Sequence, residues 1–144
     1  MKSSLVESDS IKVLVTGGRN FSEHDFLNSF LDNFLSTNSI KLLIHGDATG
    51  VDTLAKNWAI KNNIPQKPYP ANWTDFSSPC IIKFGQFGKY NALAGNKRNK
   101  FMLEDSKPDL VIAFPGGSGT KDMVKISKKN DVPVIFANNQ LKGN

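Results

Sequence analysis

IKVLVTGGRN, residues 11–20, decides the fold. Ile11 to Val15 is a short, β-branched apolar run, and Thr16-Gly17-Gly18 ends it abruptly, so it reads as a buried strand feeding a glycine turn. Downstream, Ser22 offers an N-cap with Asp25 three residues on, and Phe21 can staple against Phe26. Phe26, Leu27, Phe30, Leu31, Phe34 and Leu35 then recur at helical spacing, which predicts a one-faced helix over 22–36.

The same unit repeats outward. Ile40 to Ile44 reads as a second strand, and Val51, Leu54, Ala55, Trp58 and Ala59 form the apolar stripe of a helix lying on a sheet. A short strand near Gln66 to Tyr69 belongs at an edge, because Pro65, Pro68 and Pro70 each remove a backbone donor. From Gly95 to about Ser106 the pattern is helical, and Leu110 to Phe114 is an apolar strand. Pro115-Gly116-Gly117-Ser118-Gly119-Thr120 turns into a helix over about 121–129, and Val132 to Phe136 is the last strand. Strands alternating with helices imply a three-layer, doubly wound α/β domain with a parallel sheet of about five strands. Residues 1–10 read as a flexible leader, 11–137 as one domain, and 138–144 as a tail. Ala71 to Ala94 interrupts the pattern with turn residues and little periodicity; its part from about 76 to 94 is expected to be an insertion, either a mobile lid over the ligand or an ordered element that packs Ile81, Ile82 and Phe84 against the domain or a second subunit.

Composition narrows the function classes. The 144 residues are 39% hydrophobic and 22% charged, an ordinary globular mixture, with no long apolar run for a membrane span. Met1 to Ser10 holds Lys2, Glu7 and Asp9 rather than an apolar signal core, so a cytoplasmic location is expected. One cysteine, Cys80, and two histidines, His24 and His45, make no Cys/His metal set, and neither metal nor cofactor is expected. The +5 charge lies wholly in residues 73–144, which hold eleven basic and six acidic groups. Between Phe76 and Leu103 stand Lys83, Lys89, Lys97, Arg98 and Lys100 and no acid, so an anionic partner is expected.

In a doubly wound sheet, ligands bind beyond the carboxyl ends of the strands where the strand order reverses. With the order 3-2-1-4-5, the first and fourth strands meet there, and both end in glycine loops: Gly17-Gly18-Arg19-Asn20 and Pro115-Gly116-Gly117-Ser118-Gly119-Thr120. Glycines let backbone approach an anion, and helix N-terminal amides favour phosphate. Gly46, Asp47 and Gly50 supply a third loop, with Asp52 opening its helix. Neither GxxxxGK[ST] nor GxGxxG is completed, so a P-loop NTPase and an ordinary dinucleotide dehydrogenase are unsupported.

The string FPGGSGT at 114–120, with Arg98 upstream in KRNKFM, resembles the SLOG superfamily of Rossmann-like proteins, which includes the LOG or lysine-decarboxylase-like phosphoribohydrolases. More closely, TGGRNF, HGDATGVDTLAKNWA, PANW, ALAGNKRNKFML and PDLVIAFPGGSGT, in that order, resemble its DUF2493 (YspA, YpsA-related) branch, found in bacteria and phages, over about Ile11 to Ile135. The resemblance implies a Rossmann-like fold for nucleotide-derived ligands, ADP-ribose-like molecules among them, and host cytoplasm if the chain is phage-encoded. LOG enzymes carry a catalytic glutamate in PGGxGTxxE; here that position is Met123, which moves no proton. Asp122 is one position off, about 100° around the helix. The stretch from Trp73 to Ala94 is also longer than the branch's pattern.

Candidate ligand contacts are therefore the three loops together with Arg98, a guanidinium able to clamp phosphate, and Asn99 beside it. Asp52 serves either a ribose or the helix cap, and Trp73 is a candidate for stacking on a base. Asp122 and Asp52 are the candidate catalytic groups, whereas Trp58, His45 and Cys80 read as structural or bystander residues. Three functions remain. Ranked first is a binding protein for a phosphate-bearing, nucleotide-derived small molecule, acting as sensor or sequestering agent. Second comes a LOG-like N-glycosidic hydrolase of nucleotide 5'-monophosphates. Third is a single-stranded nucleic-acid binder using the basic 83–100 segment with Phe84, Phe87 and Tyr90 interleaved. No membrane partner is expected, and a homo-oligomer stays open.

Overall fold

The computed structural model describes residues 10–138. The strands are β1 (Ser10–Thr16), β2 (Ser39–His45), β3 (Gln66–Pro68), β4 (Ile82–Gly85), β5 (Gly88–Asn91), β6 (Leu110–Ala113) and β7 (Val134–Phe136). The helices are α1 (His24–Thr37), α2 (Val51–Lys61), α3 (Ala94–Ser106) and α4 (Ser118–Lys129). Five strands form one parallel sheet in the order β3-β2-β1-β6-β7, and β4 and β5 pair separately as an antiparallel hairpin. The doubly wound, Rossmann-like architecture is thus present, with the proline-flanked β3 at an edge.

Alternation along the strands builds the two outer layers. Val13 and Val15 point to one face and Leu14 to the other, and all three are fully buried because β1 lies at the centre of the sheet. One face packs Val13, Val15, Leu43, Ile112 and Phe114 with Leu27 and Leu31 of α1 and Val51, Ala55 and Trp58 of α2. The opposite face packs Leu14, Ile44 and Val111 with Met102 and Leu103 of α3 and Met123 of α4. Since β1 and β6 are hydrogen-bonded neighbours, from Val13↔Leu110 to Thr16↔Ala113, their carboxyl-end loops emerge side by side.

Local expectations are corrected in four places. Helix α1 starts at His24 with Glu23 at its N-cap position, not Ser22, and no side-chain hydrogen bond caps it. Phe21 and Phe26 both meet Phe114 edge-on, at centroid distances of 5.8 and 6.1 Å, so a shared core ring fixes the entry of the helix. Helix α4 begins at Ser118, taking Gly119 and Thr120 into its first turn. Within 76–94 the chain is not irregular throughout: IKFG and GKYN pair across Gln86-Phe87. Of the leader and tail, only Ser10, which opens β1, and Asn138 fall within the described residues.

Candidate functional site

Gly18 and Pro115 are joined by a hydrogen bond from the Gly18 N–H to the Pro115 carbonyl, 2.9 Å, which locks the two glycine loops together. A Cβ at Gly116 would overlap the Gly17–Gly18 backbone and the Thr120 hydroxyl, so the close approach of the loops requires glycine there. The third loop is held from below. The Val51 N–H donates to the Gly18 carbonyl at 3.1 Å, and Gly50, at φ +75°, lies where a Cβ would strike Gly18 O and the Arg19 backbone. The α2 N-terminus is thereby closed by protein, whereas α4 is open: no side chain caps it, and Cβ positions at Gly117 and Gly119 would face empty space.

These loops and one face of α3 enclose a crevice of about 760 Å³. Gly17, Gly18, Arg19, Asn20, Gly46, Asp52, Trp73, Arg98, Asn99 and all of Pro115, Gly116, Gly117, Ser118, Gly119 and Thr120 line it together. Asp47 lines a smaller adjoining recess of about 260 Å³, to which Arg19, Gly46, Trp73 and Arg98 also contribute. Gly50 and Asp122 line neither. Lining residues missed from sequence include Ala92, Gly95, Asn96 and Met102. With Asn99 they fall at i, i+3, i+4, i+7 and i+10, so a helical projection from Asn99 would have found them.

The charged groups are tied into a frame. Arg98 donates from Nη1 to the carbonyls of Gly46 and Tyr69, and from Nε to Asn99 Oδ1 at 2.9 Å. Its Nη2 makes no hydrogen bond among the described residues. Desolvation lowers the Arg98 pKa from its ordinary value, while the Asp52 carboxylate opposes that shift. Asp52 accepts from the Gly46 and Ala48 N–H groups at 3.1 and 3.2 Å, so it cinches the third loop. Burial pushes its carboxyl up, against the Ala48 N–H, Arg98, His45 and the Gly46 N–H, which all hold it down. His45 is fully buried; its Nδ1 accepts from the Asp47 N–H, which leaves Nε2 to donate to Gln66 Oε1 at 2.6 Å.

Asn99 is buried and bridges two helices, donating to Gly119 O at 3.2 Å and to Asp122 Oδ2 at 3.0 Å. That bond turns Asp122 toward α3, and Met123 is sealed in the core. Arg19 stacks over Trp73, 4.9 Å from the guanidinium carbon to the ring centroid, and Trp73 meets Tyr90 edge-on at 6.1 Å. A cation and an indole thus stand together at the crevice mouth. Among the described residues, no group of three or more His, Cys, Asp or Glu is placed to hold a metal ion, and no helix is long and apolar enough to cross a membrane.

Residues 11–76 match the model of the YspA, cpYpsA-related SLOG family, YAcAr. No curated protein matches the chain. Among solved structures, MurG of Acinetobacter baumannii is similar at a TM-score of 0.52 and 14% identity, over 88% of this chain and 34% of that one. DNA processing protein A of Streptococcus pneumoniae gives a TM-score of 0.49 and 16% identity, over 91% of this chain and 60% of that one. The chain therefore spans about a third of the first relative and less than two thirds of the second. At such identity the MurG likeness speaks to the fold alone.

Proposed function

From a chain whose residues 11–76 match the YspA- and cpYpsA-related SLOG family, we propose a protein that binds a nucleotide-derived, phosphate-bearing small molecule as a sensor or sequestering agent. That match suggests nucleotide-related ligand binding or processing, and an ADP-ribose-like or signalling nucleotide is the class proposed. The observation that carries it is the uncapped N-terminus of α4 opening into the crevice. The Ser118, Gly119 and Thr120 amides have no intrahelical acceptor at that end and sit at the positive pole of the helix. A phosphate there completes the helix cap, and Arg98 Nη2 and Arg19 add positive charge from the opposite wall. Trp73 supplies an apolar face for a base. A volume of about 760 Å³ suits a ligand of nucleotide size.

Melting shifts with AMP, ADP-ribose, NAD and cyclic nucleotides test this reading, together with Ser118→Asp. A carboxylate on the first turn of α4 favours the helix by about 0.3 to 1 kcal/mol while repelling the phosphate. The expected result is a chain at least as stable as the parent that has lost its ligand shift. No shift with any of these nucleotides, or an equal shift in Ser118→Asp, refutes the reading.

A hydrolytic second reading is favoured by one observation, the raised carboxyl of Asp52 at the crevice floor. Its Oδ2 is engaged by two amides, and Asp122 is engaged by Asn99, so neither is a free proton carrier as placed. Release of free base from AMP that survives Asp122→Asn and ends with Asp52→Asn would promote the hydrolase over the binder.

A further inference from the structure

The hairpin β4–β5 carries the two most exposed large apolar side chains among the described residues. Phe87 is 96% and Phe84 81% exposed, and Ile81 and Ile82 are each 50% exposed. So much apolar surface on one projection is costly to leave in water, and it marks an interaction site. It does not pack back onto this chain, so its role lies with a partner.

Charge specifies the partner. The register sets Phe84 opposite Lys89 and Lys83 opposite Tyr90, and directly opposed residues share a face. Phe84 and Lys89 therefore lie on one face, with the Lys89 ammonium 5.1 Å from the Phe76 ring centroid. The row Phe76, Lys89, Phe84 alternates ring, cation, ring, with Phe87 at the turn. No acidic residue occurs from Phe76 to Leu103, and the nearest acid upstream, Asp75, is neutralised by Lys97 at 3.2 Å. Flat rings alternating with cations on an acid-free surface match a chain whose flat apolar groups and anions also alternate.

We propose that this hairpin docks single-stranded nucleic acid on the face of Phe84 and Lys89, with bases stacking on Phe84 and Phe87 and a backbone phosphate meeting Lys89. The platform is stiffened at its base. Asn91 is fully buried, accepts from the Ile81 and Leu93 N–H groups, and donates to the carbonyls of Asp75 and Pro79. Tyr90, on the other face of the hairpin, meets Trp73 at the crevice mouth. Docking on the Phe84 and Lys89 face does not rest on the proposed nucleotide reading.

The test is fluorescence anisotropy of the full chain with a labelled oligothymidylate of ~12 nucleotides at low and moderate salt. Binding is expected to weaken with salt, the log–log slope steepening by about 0.7 for each phosphate neutralised. Phe84→Ala and Phe87→Ala should each weaken binding about tenfold, within the range measured for base stacking on aromatics. Lys89→Gln should flatten the slope by roughly 0.7, whereas Lys83→Gln, on the other face, should change it less. Lys83, Phe84, Phe87 and Lys89 are all exposed, so unchanged melting temperatures are expected in every variant. Ser118→Asp should leave oligothymidylate affinity intact, and Phe84→Ala should leave mononucleotide melting shifts intact, which separates this proposal from the crevice reading. No binding of oligothymidylate at low salt, equal affinity in both phenylalanine variants, or capture by phosphatidylserine vesicles without oligonucleotide binding each overturns it.

Discussion

Replacing Arg98 by alanine should damage the frame of the site before it damages any ligand. The guanidinium supplies charged donors to Gly46 O, Tyr69 O and Asn99 Oδ1, so its loss strands two carbonyls and one amide oxygen. Stranding a partner costs about 1 to 3 kcal/mol when water is excluded. The side chain is only part-buried, and water entering the vacated space recovers some of that, so the expected total is about 2 to 4 kcal/mol. For a chain of this size that lowers Tm by roughly 6 to 12 °C.

A second signature follows from the neighbour. Asp52 is held up by burial and down by Arg98, so removing the guanidinium raises its folded-state pKa further. A carboxyl raised above its unfolded value gives stability fully present below the unfolded pKa and lost as pH rises through the folded pKa. The variant's deficit relative to the parent should therefore be smaller at about pH 5 than at about pH 8, since other groups cancel in the comparison. Urea titrations of both proteins at the two pH values measure this. A loss below about 0.5 kcal/mol would make Arg98 an ordinary surface charge. A deficit of equal size at both pH values would refute its coupling to Asp52.

Further expectations concern separate parts of the chain. Gly50→Ala forces a Cβ into Gly18 O at a φ of +75° and should cost more than about 2 kcal/mol by thermal denaturation, whereas Gly117→Ala points into open space and should leave folding nearly unchanged. Trp73→Ala should reduce the melting shift given by nucleotides much more than that given by inorganic phosphate, because it removes only the surface offered to a base. Ser77 and Lys97 hold the Asp75 carboxyl down at about 2. Its contribution is thus present above the unfolded pKa and fades as pH falls toward 2, so an acid titration should bring Asp75→Ala and the parent together only in that window.

What the sequence determined follows from short-range rules. A buried central strand must be apolar on both faces, and IKVLV and LVIAF announce two of them without reference to anything distant. Prolines at 65, 68 and 70 forbid ladder donors and so send β3 to an edge. Glycine runs after those strands mark where backbone must pass close to backbone, which located the crevice. The hairpin stayed hidden because its strands bury almost nothing, leaving no apolar face whose period could show.

Only tertiary structure decided how side chains of similar chemistry divide their roles. Arg19 and Arg98 are both cations near glycine loops, yet one lies on an indole and the other is bound to carbonyls of two different loops. Asp122 seemed one helical step from a useful position, and a single bond from Asn99 turns it away from the crevice. Gly50 and Gly117 are alike in sequence, but one fills the crossing of two loops and the other opens onto space for a ligand. Each distinction depends on a neighbour more than fifteen residues away along the chain, and local spacing carries no information about which distant group arrives there.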